Sequence, residues 1–237
     1  MLYCHLLLFA GAVSLALYLH EKLRRYSVRA VLLKSLTSAF FVALAICGWF
    51  CAAGDGRPAV LGIFVILGLL FGLLGDIWLD LKYVFPQADE PFTYAGFASF
   101  GVGHVLYCIG LLLQYAQAEN PVFLWLPLLL ALLSGLATAA MEKPMKLQYG
   151  KFKPVVAGYG VLLFATVLLS GSLALQQSWR MPTLNWIFAG SVLFAASDLI
   201  LSGTYFGKGR ERPVDLALNY LTYYPAQFLI AYSLLYL

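Results

Sequence analysis

Apolar runs long enough to cross a bilayer recur along the whole chain, and no other feature constrains the fold as hard. A membrane-spanning helix needs about 20 consecutive apolar residues. Inside the hydrocarbon each backbone N–H and C=O must be satisfied, which leaves helices or closed barrels. Eight such runs fit, near 2–19, 35–53, 58–80, 96–115, 121–140, 154–175, 184–203 and 215–236. Breakers separate them: "GDGRP" at 54–58, "ENP" at 119–121, "EKP" at 142–144 and "RMP" at 180–182. Composition agrees, since only 11% of residues are charged where a soluble domain carries about a quarter. The expected fold is all-α: a polytopic membrane helix bundle with eight transmembrane helices, forming a single integral membrane domain over 1–237.

Charge placement tests the count. Loops after the first, third, fifth and seventh runs hold Lys22, Arg24, Arg25, Arg29, Lys34, Lys82, Lys143, Lys146, Lys151, Lys153, Lys208, Arg210 and Arg212. The other side has Arg57 and Arg180. The positive-inside rule then puts both termini on the non-cytoplasmic side. Basic residues confined to short loops argue against a nucleic-acid partner, and no obligate protein partner is evident. The first run lacks a preceding basic segment, which favours a retained helix over a signal peptide. Without an added targeting or retention signal, a bacterial inner membrane is favoured over a eukaryotic endomembrane. Cys4, Cys47, Cys51 and Cys108 all lie in apolar runs and read as small buried hydrophobes.

Three acidic residues lie within or at the edge of an apolar run: Asp76, Asp80 and Asp198. Each costs about 2.5–3.5 kcal/mol at a helix centre, which makes a buried one a functional candidate. Gly68, Gly72, Asp76 and Asp80 follow at four-residue steps, one stripe of small and acidic groups that suits close helix packing. Gly190, Ser191, Ala195, Asp198 and Ser202 make a similar stripe in the seventh run. Topology places Asp76 and Asp198 at matching depth, toward a cavity open to the cytoplasmic leaflet. Asp80, followed by Lys82, reads as interfacial, with assistance at the site as the other reading.

Two further runs carry polar groups. "GVGHVLY" puts His104 and Tyr107 one turn apart, and His104 alone also suits an inter-helix hydrogen bond. "NYLTYYPAQ" aligns Asn219, Tyr223 and Gln227, with Tyr220 and Tyr224 beside them in positions typical of an aromatic belt.

"GLLGDIWL" (72–79), "FTYAGFASFGVGHVLY" (92–107), "LFAASDLIL" (193–201) and "LTYYPAQFLI" (221–230) together resemble the YhhN-like lysoplasmalogenase family, from about residue 60 onward. "PVVAGYG" (154–160), with Tyr159, is similar to a further family segment. The resemblance implies hydrolysis of the vinyl ether of a lysophospholipid substrate, with Asp76 and Asp198 as the catalytic pair and no cofactor. Acid cleaves a vinyl ether by protonating its outer alkene carbon, so a neutral carboxylic acid and a nearby carboxylate suit the chemistry. Asn219, Tyr223 and His104 would orient water and substrate. Lys208, Arg210, Arg212 and Lys82 lie on the side suited to a lipid phosphate, or serve only the charge bias.

Two rivals come from other classes. A metal-dependent lipid amidase needs a ligand cluster, which three histidines, with His5 and His20 at opposite ends of the first run, do not supply; no metal site is expected. A proton-coupled lipid or small-molecule transporter would use the same aspartates, and Asp-x-x-Leu recurs in the third and seventh runs. The topology has a direct check. Alkaline phosphatase fused after Leu237 should be active and green fluorescent protein there dark; the opposite pattern removes the eight-span orientation.

Overall fold

A computed structural model describes residues 2–24, 27–53, 60–115, 120–207 and 212–237. Each apolar run is a helix: α1 (Leu2–Lys22), α2 (Val28–Ala53), α3 (Val60–Val84), α4 (Asp89–Tyr115), α5 (Val122–Ala140), α6 (Lys153–Gln176), α7 (Pro182–Phe206) and α8 (Pro213–Tyr232). No strand occurs among the described residues; Leu147 and Gly207 form an isolated bridge. Most helices overrun their apolar cores, because each further turn satisfies backbone groups that would otherwise be left open. α7 and α8 begin on Pro182 and Pro213, where the missing N–H of proline costs nothing.

Helices α1 to α7 are long and apolar enough to cross a membrane, which makes the chain a multi-pass integral membrane protein. α8 has 20 residues, but Asp215, Asn219, Gln227 and its tyrosines lower its apolar character below that of the other seven.

Contacts divide the chain into two units: Met1–Gly110 with Ala231–Leu237, and Leu111–Ile230. In the first unit α1 packs on α2, and α2 packs on α3 and on the 3-10 turn Ser233–Tyr236. Contacts between opposite ends show antiparallel neighbours: Ser14 on α1 meets Thr37 on α2 at 2.8 Å, and Trp49 near the end of α2 covers Gly62 near the start of α3. α3 and α4 approach through glycine on both sides. The position a Cβ of Gly103 would take is 3.0 Å from the Gly68 carbonyl oxygen, while the rings of Tyr107 and Phe100 occupy the spaces over Gly68 and Gly75. Without these glycines the two backbones could not come so close. The stripe expected on the third run is therefore the packed face, and Gly68, Gly72, Asp76 and Asp80 are all buried.

The second unit follows the same scheme. α5 meets α6 where a Cβ on Gly160 would stand 3.3 Å from the Cα of Gly135, and Ser172 on α6 donates to the Phe123 carbonyl of α5 at 2.8 Å. Ser170 on α6 and Ser191 on α7 share a hydrogen bond at 3.3 Å. α7 meets α8 at Gly190, whose absent Cβ would fall 2.8 Å from the Ala226 carbonyl oxygen. Glu142 ties the α5–α6 connection by accepting from Lys153 Nζ at 2.7 Å and from the Tyr149 N–H at 2.9 Å.

Because the neighbour at Gly103 is backbone, it cannot swing aside. Gly103→Leu should destabilise the protein by about 1–3 kcal/mol, read as a lower thermal midpoint in detergent, while a substitution at outward-facing Leu113, 63% exposed, leaves it unchanged.

Candidate active site

Asp76 and Asp80 stand one turn apart on the buried face of α3, as their spacing predicts, and each meets a lysine from a neighbouring helix. Lys34, almost two turns into α2, places Nζ 3.2 Å from Asp76 Oδ1 and 3.4 Å from Asp80 Oδ1. Lys22, the last residue of α1, donates to Asp80 Oδ1 at 2.8 Å. Ser38 donates to Asp76 Oδ2 at 2.6 Å and Tyr18 to Asp80 Oδ2 at 3.2 Å. All six side chains are buried; Asp76 is 1% exposed and Asp80 2%.

Two sequence expectations are corrected here. Asp80 is not an interfacial residue of the helix end; it is the central acceptor of an ion network. Lys22 and Lys34 are not loop charges, because α1 continues past its apolar run to Lys22 and α2 begins ahead of its own. The cause is electrostatic: two carboxylates in an apolar interior demand cations, and lysine stems reach inward from helix ends. Removing both from the loop tally leaves the inside bias of positive charge intact. The signal was present in the sequence. Tyr18/Lys22, Lys34/Ser38 and Asp76/Asp80 are each spaced i,i+4, so three helices present three polar pairs.

In the second unit Asp198 is half-buried on α7 and accepts a hydrogen bond from Tyr159 Oη of α6 at 2.5 Å. Among the described residues it forms no ion pair. Asn219, expected near Asp198, bonds instead to the residue before it. Its Nδ2 donates to Ser197 O and Oγ, both at 2.9 Å, and Ser197 Oγ donates back to Asn219 O at 3.3 Å. That exchange clamps α8 onto the turn of α7 that carries the carboxylate. Of the α7 stripe, Gly190, Ser191 and Ala195 are buried, and Ser202 is partly exposed with its hydroxyl on the Leu199 carbonyl.

The tyrosines of α8 are not an aromatic belt, which corrects that reading of Tyr220 and Tyr224. Both are buried, and the Tyr224 ring stands edge-on to Tyr223 at 5.0 Å. Tyr223 packs edge-on against Phe194 at 5.4 Å and its hydroxyl accepts from Gln227 Nε2 at 3.0 Å. A tight α7–α8 contact made through Gly190 draws these rings inward. His104 is buried on α4 with its ring edge-on to Tyr107 at 5.9 Å. Tyr107 fills the space over Gly68, two turns along α3 from Asp76, so its ring serves packing between α3 and α4.

Of the residues read as phosphate ligands, Lys82 lies 3.5 Å from Asp89 and 5.2 Å from the centre of the Tyr83 ring. Arg212 grips Asp215 through two nitrogens at 2.8 and 2.9 Å. Lys208 and Arg210, and the loop charges Arg25 and Arg57, lie outside the described residues.

The two units share one device. Asp76 stands eight residues before Val84, the end of α3, and Asp198 eight before Phe206, the end of α7. In each, the preceding helix gives the carboxylate a hydroxyl: Ser38 from α2 and Tyr159 from α6. Only the first unit adds lysines among the described residues.

A membrane helix protein with carboxylates held by hydroxyls and buried lysines is the class these observations define. Within it, the chain belongs to the YhhN family, whose model matches residues 29–234. The match reaches back through α2, further than the resemblance read from residue 60 onward, and includes Lys34 and Ser38 but not Tyr18 or Lys22. No curated protein and no solved structure matches the chain.

Lys34→Met leaves Asp76 buried without its cation and should cost about 3–5 kcal/mol. Lys34→Met combined with Asp76→Leu should cost less than the sum of the two single changes, since both remove one interaction. Unfolding midpoints of the four proteins in one detergent measure the difference, and strict additivity would break the assignment of the pair.

Proposed function

We propose that this YhhN family member hydrolyses the vinyl ether bond of a lysoplasmalogen, releasing a fatty aldehyde and a glycerophosphoethanolamine or glycerophosphocholine. The observation that carries the reading is the contrast between the two helix-borne carboxylates. Asp76 has an ammonium at 3.2 Å and a serine hydroxyl at 2.6 Å; Asp198 has a phenol and, among the described residues, no cation. Groups of one chemical type in unlike surroundings are how acid and base roles separate.

In this proposal Asp198 is the acid. It gives its proton to the outer alkene carbon, and the ether oxygen shares the positive charge of the resulting oxocarbenium ion. Asp76, paired with Lys34, accepts the proton of the attacking water. The hemiacetal so formed collapses to aldehyde and alcohol; Asp76 releases its proton to water and Asp198 takes one up from water, which restores both groups. Tyr159 orients the acid, and Asn219 holds the adjoining turn of α7 through Ser197. The substrate enters from the cytoplasmic leaflet of a bacterial inner membrane, in a chain with eight spans and both termini outside.

A second reading has its own observation: equivalent aspartates in two similar units suit a proton-coupled lipid or small-molecule transporter, since such proteins are often built from repeats.

One assay separates the two. Purified protein given a lysoplasmalogen should release aldehyde, and its saturated ether analogue should be inert. In D2O the aldehyde should carry one deuteron on the carbon beside the carbonyl, placed there by the acid. Asp198→Asn and Asp76→Asn should each lower the rate by about 10²–10⁴-fold. Activity that survives in both variants ends the proposed roles, and an inert wild type that takes up lipid into vesicles supports the transporter.

A further inference from the structure

Away from the ion network, the far end of α1 meets the far end of α2 at a cluster of sulfur. Cys4 in the first turn of α1 and Cys47 and Cys51 in the last two turns of α2 bring three Sγ atoms within 4.8 Å of one another. Cys4 Sγ lies 3.1 Å from Cys47 Sγ. All three are free thiols. Cys4 lies 43 residues before Cys47, and Cys47 and Cys51 share a helix face without the close pair spacing of a metal knuckle, which is why they read as separate small hydrophobes. Packing α1 against α2 in antiparallel fashion brings them together.

We propose that these three thiols form a site for one soft d10 cation, with monovalent copper the best match. Thiolate ligands select monovalent copper or zinc over hard ions. Metal–sulfur bonds of about 2.3 Å in a trigonal site hold the sulfurs about 4 Å apart, which lies between the Cys4–Cys47 separation of 3.1 Å and the 4.8 Å limit. Three sulfurs with no histidine or carboxylate in the group suit a three-coordinate ion better than a tetrahedral one. Cys4 is completely buried and Cys51 exposed, so the cluster has a closed inner end and an open outer one. Its flank is firm: a Cβ at Gly48 would lie 3.3 Å from the Leu235 backbone nitrogen, so the C-terminal turn is packed against α2 between Cys47 and Cys51. Each thiol that becomes a thiolate ligand releases one proton to solvent, and no electron is exchanged.

The test uses the full chain in detergent, reduced with a phosphine, and copper(I) buffered by bathocuproine disulfonate. Wild type and Cys108→Ser should each retain a single copper ion. Cys4→Ser, Cys47→Ser and Cys51→Ser should retain it at least about tenfold more weakly, the scale on which even supporting groups act at metal sites. Alkylation of the wild type with iodoacetamide supplies a readout that needs no variant. Copper should protect Cys4, Cys47 and Cys51 but leave Cys108 as reactive as before. Copper retention equal in wild type and the three serine variants overturns the site. So does an unprotected cluster, or a Cys4–Cys47 disulfide that forms in place of metal retention. Aldehyde release should be unaffected in Cys51→Ser, so the outcome is independent of the hydrolase reading.

Discussion

Ionised groups in an apolar interior are tolerated only in balance, and the first unit is arranged around that constraint. Asp76 and Asp80 bring two negative charges to one face of α3; Lys22 and Lys34 bring two positive ones from α1 and α2. None of the four is exposed enough for water to screen it. Their mutual attraction, together with hydrogen bonds from Tyr18 and Ser38, must offset the desolvation of all four. Such a network fixes the register of three helices, since sliding any one by a turn would strand a charge.

The glycines make the network possible. With Gly68 against Gly103, α3 and α4 meet backbone to backbone, and the aromatic rings of α4 fill the space over the glycines of α3. Gly135 against Gly160 and Gly190 against Ala226 do the same in the second unit. Apolar side chains give no driving force for association within lipid, so such contacts act through close packing and interhelical hydrogen bonds. The polar groups are then held by their neighbours: Ser197 and Asn219 exchange bonds across α7 and α8, and Tyr159 reaches from α6 to Asp198. The recurrence of a hydroxyl on the preceding helix, at Ser38 and at Tyr159, shows one solution used twice for a carboxylate in a membrane helix. Its difference is chemical, because lysine accompanies Asp76 and not Asp198 among the described residues.

Much of this was readable from residue order alone. The eight helices follow from run length and from breakers, because in hydrocarbon a helix is the structure that satisfies its own backbone. Asp76 and Asp198 stand out because carboxylates inside apolar runs are costly. The faces also follow, since four-residue spacing aligns Gly68, Gly72, Asp76 and Asp80 whatever the partner helix is. Ion partners, in contrast, were legible only in part. The i,i+4 pairs Tyr18/Lys22 and Lys34/Ser38 were there to be seen, but helix ends are blurred in sequence, and a lysine a turn past an apolar run looks like a loop residue. Asp80 reads as a helix-end residue for the same reason.

Which residues touch is a three-dimensional property, and the sequence by itself determined none of it. It determined a multi-span helical membrane protein, the polar faces of its helices and its membership of the YhhN family. The tertiary structure decided that Asn219 bonds Ser197 rather than its neighbour Asp198, that Tyr224 is core and not belt, and that Cys4 lies beside Cys47 and Cys51. Periodicity sets the direction of a side chain within its own helix. Its partner depends on the rotation, register and separation of the next helix, which are set by packing distances that local sequence does not encode.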